Sequence, residues 1–307
     1  MPRAPSSGTD VPSTEDSNDR FADLDLWSDQ QILEALADGQ QRAIEAVRQA
    51  RQQIAAAAQA LADGLRQGGR LVYAGAGSSI SIAVQDGAEL PGTFGLSLDR
   101  IHFLIAGGTS SLIDIDGPAE DDDQAGTAEA TALKLQPHDV LIGVSASGRT
   151  RYTVAAADVA KQAGATVIGI ASNMPSPLLS VATHPIHLAT GAEVIAGSTR
   201  MGAGTAQKSA LGLLSTLAQI RLGNVYGGMM VNVQANNEKL RQRAIGMVRR
   251  ITHVDEPRAT EALRQTSGHI KPAVLLCAGA KDLAAAEHLL RDKQNNLRLA
   301  LEQLARA

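Results

Sequence analysis

Apolar and polar positions follow two regimes along the chain. From residue 28 to 67 Ala and Leu dominate, with charges interspersed. These strong helix formers predict two helices, the first capped at its start by Ser28. Gly68-Gly69 closes that region. Beyond it, short continuous apolar runs alternate with helix-compatible ones. Strands are predicted at 70–74, 101–106, 139–144, 166–171 and 185–188. Helices are predicted at 79–90, 125–135, 150–163, 204–222 and 237–250. The acidic stretch 114–124 reads as a loop. The tail from 255 to 307 is helical in pattern, with breaks at Gly268 and Gly279. Within it, 272–277 fits either a strand or a buried helix, because periodicity does not separate them over so short a run. Continuous apolar strands separated by helices imply a mostly parallel sheet covered on both faces. The expected fold class is therefore α/β, a doubly wound three-layer αβα arrangement with N-terminal helices and a small helical C-terminal region.

Composition narrows the function classes. Hydrophobic residues make up 44% of the 307 residues but aromatics only 2%, so the core must be aliphatic. So few aromatics weaken any case for stacking on single-stranded nucleic acid. The net charge is −4 and the basic residues are scattered, so no nucleic-acid footprint is present. The single cysteine, Cys277, lies in an apolar stretch, as a small buried hydrophobe would, and fits a reduced cytosolic setting. The first nineteen residues are rich in Ser, Pro, Thr and Asp and hold no signal-peptide core. No apolar run reaches membrane-spanning length. A cytoplasmic protein with a mobile start, and no membrane partner, is the expectation.

Chemistry concentrates in three segments. The first predicted strand runs into Gly75-Ala76-Gly77-Ser78-Ser79, and a helix-compatible stretch bearing Glu89 follows. A second loop, Ser145-Ala146-Ser147-Gly148-Arg149-Thr150, follows the 139–144 strand and precedes a helix. Hydroxyls, an arginine and the unpaired amides of a helix start suit a phosphate. Neither loop has the Gly-Lys-Ser/Thr of a nucleotide P-loop or the third glycine of a dinucleotide fingerprint. The third segment, residues 191–208, is dense in glycine, hydroxyls and charge and holds Glu193, Ser198 and Lys208. On residue types alone, each loop also fits an ordinary strand-to-helix turn or a flexible connection. Likewise, Glu89 fits a solvated helix position, and Glu120 a solvated acidic run with Asp121, Asp122 and Asp123. His184 and His187 are too closely spaced for a helical metal pair and lack a companion carboxylate, so no metal site is expected.

These segments together resemble the N-acetylmuramic acid 6-phosphate etherases, within the phosphosugar-binding sugar isomerase (SIS) domain family. The likeness extends over nearly the whole chain. It includes Thr14-Glu15, Gly75 to Ser79, Asp86, Glu89 and Thr93-Phe94-Gly95. It continues through Ala119-Glu120-Asp121, Ala146 to Thr150 with Tyr152, and Gly191 to Val194. The string Gly197-Ser198-x-Arg200-Met201-x-Ala203-Gly204-Thr205-Ala206-Gln207-Lys208 and Asn237-Glu238-Lys239-Leu240 complete it. The resemblance implies removal of the D-lactyl ether from C3 of the sugar by elimination through the ring-opened form, then addition of water. It implies Glu89 and Glu120 as catalytic carboxylates, with no metal or cofactor. Gly77, Ser78, Ser79, Ser145, Ser147, Gly148, Arg149, Thr150, Glu193, Ser198 and Lys208 are implied at the substrate or its phosphate. It further implies a homodimer with the site near the interface, where Asn237 and Glu238 meet the partner's substrate. The expected division is a mobile segment 1–27, a phosphosugar-binding domain 28–250 and a helical region 251–307.

The chain departs from that family at two points. Ile80-Ser81 stands where Gly-Arg is usual, and Arg151 where a proline is usual. A phosphosugar aldose–ketose isomerase using the same carboxylate is one alternative. A non-catalytic sugar-phosphate sensor, like the related glucokinase regulatory protein, is another.

Overall fold

The computed structural model describes residues 13–114, 117–233 and 237–306. The chain divides into two compact units, residues 1–85 with 102–214 and residues 86–101 with 215–307. The expected helical region 251–307 lies inside the second.

The first unit begins with three short 3-10 turns, Ser13–Glu15, Asp19–Phe21 and Leu24–Leu26. Residues 13–27 of the segment expected as 1–27 hold these turns. Phe21 is buried with Ala35 and Val194, and Leu24 and Trp27 pack against them. Residues 1–12 of that expectation lie outside the described residues. Helix α1 (Asp29–Gln49) starts at a capping box in which Ser28 and Gln31 satisfy each other's backbone amides. Only Ala50 separates it from α2 (Arg51–Arg66).

The alternating segment follows: β1 (Leu71–Gly75), α3 (Gly77–Phe94), β2 (Ile101–Ile105), α4 (Gly117–Glu120), α5 (Asp123–Ala132) and β3 (Val140–Val144). It continues with α6 (Arg151–Gln162), β4 (Thr166–Ala171), α7 (Pro177–Val181), β5 (His184–His187) and α8 (Gly202–Arg221). The stretch read as an acidic loop thus contains the single turn α4 and the start of α5. Asp122 caps α5 by accepting from the Ala125 amide at 2.8 Å.

The five strands form one sheet in the order β2-β1-β3-β4-β5, and β1, β3, β4 and β5 are parallel. Strands β1 and β3 are buried at every residue, as a sheet covered on both faces requires. On one face Val72, Leu141 and Val167 pack with Tyr152, Ala156 and Leu178 of α6 and α7. Neighbouring strand residues point to opposite faces. Val140 accordingly meets α2, where Gly64 leaves room for it. At the amino end of the sheet, Asp139 accepts from the Arg70 amide at 2.7 Å and from its guanidinium at 2.6 Å. Burial works against that carboxylate's charge, but the Arg70 contacts and the Gln136 amide outweigh it and hold its pKa below the usual range.

The second unit contains a short antiparallel pair, β6 (Val225–Tyr226) and β7 (Met229–Met230), and a run of helices. These are α9 (Glu238–Thr252), α10 (Glu256–Gln265), α11 (Ile270–Cys277), α12 (Leu283–Asp292) and α13 (Leu297–Leu304). Its core gathers Val248, Leu263, Val274, Leu275 and Leu297, with Cys277 buried among them. The ambiguous 272–277 run is therefore helix. Among the described residues no helix is long and apolar enough to cross a membrane.

Candidate functional site

The strand order fixes where the site forms. From β1 the sheet grows to β2 on one side and to β3 on the other. Ligands of open parallel sheets bind beyond the carboxyl ends of strands at such a reversal. Gly75 and Val144, the last residues of β1 and β3, are register partners. The loops that follow them, 76–79 and 145–150, therefore emerge side by side.

Loop 145–150 is organised around Ser145, whose hydroxyl is buried. Ser145 Oγ lies 2.8 Å from Thr150 Oγ1 and 3.3 Å from Ser147 Oγ, and it accepts from the Gly148 amide at 3.0 Å. Ser147 Oγ accepts from the Arg149 amide at 3.1 Å. Gly148 has φ +67°, and a Cβ there would run into Ser176. Its carbonyl accepts from the Leu178 amide at 3.1 Å, which fixes the loop against α7. Thr150 precedes α6 without capping it through its side chain. Three hydroxyls and a helix start thus converge on one point, an arrangement suited to a phosphate.

Loop 76–79 opens α3. Gly77 has φ +52°, and a Cβ on it would lie 2.9 Å from Glu120 Oε1. The glycine thus allows both the left-handed turn and the close approach of that carboxylate. Glu120 is half-buried on α4, and its pKa is raised, first by burial and then by the charge of Asp121. Its acidic neighbours have different surroundings. Asp122 caps α5, and Asp123 pairs with Arg151 at 2.9 Å on the surface. Arg151, which replaces the usual proline, is thereby engaged with α5. Ile80 is wholly buried against Gly75, and Ser81 donates to the Gly77 carbonyl at 3.1 Å. The pair that replaces Gly-Arg thus fills the core and closes the first turn of α3. Tyr152 also turns inward, donating to Glu129 at 2.5 Å.

The third segment is tied down rather than free. Glu193 is buried, and its oxygens accept from the amides of Gly202 and Ala203, each at 2.8 Å. It is expected as a substrate ligand, but its carboxylate caps the start of α8, where it meets unpaired amides and the positive end of the helix dipole. Ser198 is half-buried in the turn before α8, and Lys208 is exposed on that helix. Ser78 is half-buried, Ser79 is 9% exposed, and Arg149 is half-buried.

The remaining expected residues belong to the second unit. Glu89 is exposed on α3. Asn237 caps α9 by accepting from the Leu240 amide at 2.9 Å, and Glu238 pairs with Arg241 at 3.1 Å.

Two further groups were not among the expected site residues. Asn173, just after β4, donates to the Ala146 carbonyl at 2.8 Å. In addition, Ser172 Oγ, Thr190 Oγ1 and Gln207 Nε2 are buried without a hydrogen-bond partner among the described residues. Ser172 and Thr190 follow the carboxyl ends of β4 and β5, and buried polar groups of this kind call for a partner. Gln207 stands in the third segment, next to the expected Lys208. Ser172 and Thr190 carried no motif that would have marked them.

The chain is similar to known proteins over most of its length. The SIS domain model matches residues 36–172. An N-acetylmuramic acid 6-phosphate etherase of Deinococcus radiodurans is 43% identical over 92% of this chain and 92% of that protein. The etherase of Streptomyces avermitilis is 40% identical over 94% of this chain and 93% of its own length. Among solved structures, a phosphoheptose isomerase from Francisella tularensis aligns with a TM-score of 0.46 at 22% identity, covering 62% of this chain and 96% of that one.

Proposed function

The chain belongs to the N-acetylmuramic acid 6-phosphate etherase family, and from that premise we propose that it cleaves the D-lactyl ether of N-acetylmuramic acid 6-phosphate. The products are N-acetylglucosamine 6-phosphate and D-lactate, and the enzyme, a carbon–oxygen lyase, serves cell-wall amino sugar recycling in the cytoplasm. One observation carries the reading to the site: Glu120, half-buried with a raised pKa, lies over Gly77 in the loop beside the hydroxyl cradle 145–150.

The chemistry follows from the substrate. Ring opening places an aldehyde at C1 and makes the C2 proton removable. Glu89 takes that proton, and the electron pair moves toward C3 and expels the lactate oxygen. Glu120, which holds its proton to higher pH than an ordinary glutamate, gives it to that oxygen. The resulting unsaturated aldehyde then adds water at C3, with Glu120 now accepting the proton of the water. A proton returns to C2, so atoms and charge balance. Ser145, Ser147, Thr150 and the first amides of α6 hold the phosphate, with the cationic Arg149 beside them. We further read the protein as a homodimer, with Asn237 and Glu238, exposed at the start of α9, facing the partner's substrate.

Incubation with N-acetylmuramic acid 6-phosphate, followed by detection of D-lactate, tests this. Release is expected, and Glu120→Gln is expected to slow it by about 10²–10⁴-fold, the usual worth of a proton-transferring group. Binding without release would make the protein a sensor. Interconversion of aldose and ketose phosphates without lactate would make it an isomerase.

A further inference from the structure

We propose that Thr14 and Asn173 are positioning residues of the phosphate loop, so that the N-terminal turn is a built-in part of the substrate site. Asn173 is 2% exposed, and both ends of its amide are engaged. Its Oδ1 accepts from Ser13 Oγ at 2.8 Å and from the Thr14 amide at 3.2 Å. Its Nδ2 donates to Thr14 Oγ1 at 3.0 Å and to the Ala146 carbonyl at 2.8 Å. Ala146 stands between Ser145 and Ser147, whose hydroxyls line the cradle. The same carbonyl accepts from the Ser172 amide at 3.0 Å.

Thr14 is itself wholly buried, and its carbonyl accepts from the Gly197 amide at 3.0 Å. A continuous path of hydrogen bonds thus runs from the phosphate loop through Asn173 and Thr14 to the loop ahead of α8. The residues it joins lie at positions 14, 146, 173 and 197. Only a side chain that both donates and accepts can occupy the centre of this path, which is what asparagine provides. Because the path is buried, water does not readily replace a missing partner. A loop held this way binds the phosphate equally in the ground state and the transition state. Its loosening should therefore raise KM and leave kcat largely unchanged.

This rests on the proposed function only for the kinetic readout, so inorganic phosphate serves as an independent probe. Thr14→Val keeps the shape and removes the hydroxyl. It is expected to weaken phosphate binding and raise KM about tenfold, with kcat within about twofold, the scale of one lost buried hydrogen bond. Thr14→Ser restores the hydroxyl and is expected to restore both. Asn173→Ala, which removes both arms, is expected to weaken phosphate binding further. Unchanged phosphate affinity in Thr14→Val would overturn the proposal. So would a fall in kcat and melting temperature that Thr14→Ser does not rescue. Absence of lactate release by the wild type, with the phosphate effect intact, would instead overturn the function and leave the positioning role standing.

Discussion

Gly77 is where a single added carbon would meet a carboxylate. Its φ of +52° lies in the left-handed region, and a Cβ would approach Glu120 Oε1 to 2.9 Å. Gly77→Ala is therefore expected to lose about 1–2 kcal/mol from the backbone alone. It also displaces the Glu120 carboxylate. At least a tenfold loss of kcat is expected, about 1.4 kcal/mol, with phosphate affinity nearly unchanged. Steady-state kinetics alongside phosphate titration checks it; a loss confined to KM would argue against Glu120 as the proton donor. Glycines and clustered hydroxyls made the loops visible in the sequence, because few residues tolerate such turns. The individual roles were less visible. Nothing local distinguishes Glu120 from Asp121 to Asp123, since its close approach to Gly77 joins residues far apart in sequence. Glu193 was implied at the substrate by resemblance alone, and the amides it accepts from, those of Gly202 and Ala203, lie nine and ten residues on, just before the helix expected from 204. Asn173 carried no signal at all, because its partners are far away in sequence.

At the scale of elements, continuous apolar runs located the strands well, and 166–171 coincides with β4. The 272–277 run stayed ambiguous because α11 is buried nearly all round, leaving no polar face to reveal its period. That helix also hides Lys271, which is 4% exposed. Its ammonium donates to Asn224 Oδ1 at 2.7 Å and to the Asn295 carbonyl at 2.9 Å. Burial pushes its pKa down to about 8, against 10.5 for an ordinary lysine. The folded state thus releases this proton before the unfolded state does, and stability rises with pH between those two values. Relative to Lys271→Met, the wild type is expected to gain about 3 kcal/mol across that window. Urea unfolding of both proteins at pH 7.5 and 10.5 measures it, and a flat difference would place the lysine in a wetter setting.

For the whole molecule, alternation of strands and helices was enough to read a doubly wound sheet. It could not give the order β2-β1-β3-β4-β5, which brings the loops after β1 and β3 together. Nor could it show Thr14 reaching Asn173, because such contacts arise only once the chain has folded. As proposed, ether cleavage proceeds by elimination at C3 followed by hydration. Turnover of N-acetylmuramic acid 6-phosphate in ¹⁸O-labelled water, with mass analysis of both products, tests that claim most directly. The label is predicted in the C3 hydroxyl of N-acetylglucosamine 6-phosphate, with unlabelled D-lactate. Label in the lactate would mean attack on the lactyl carbon and would contradict the account.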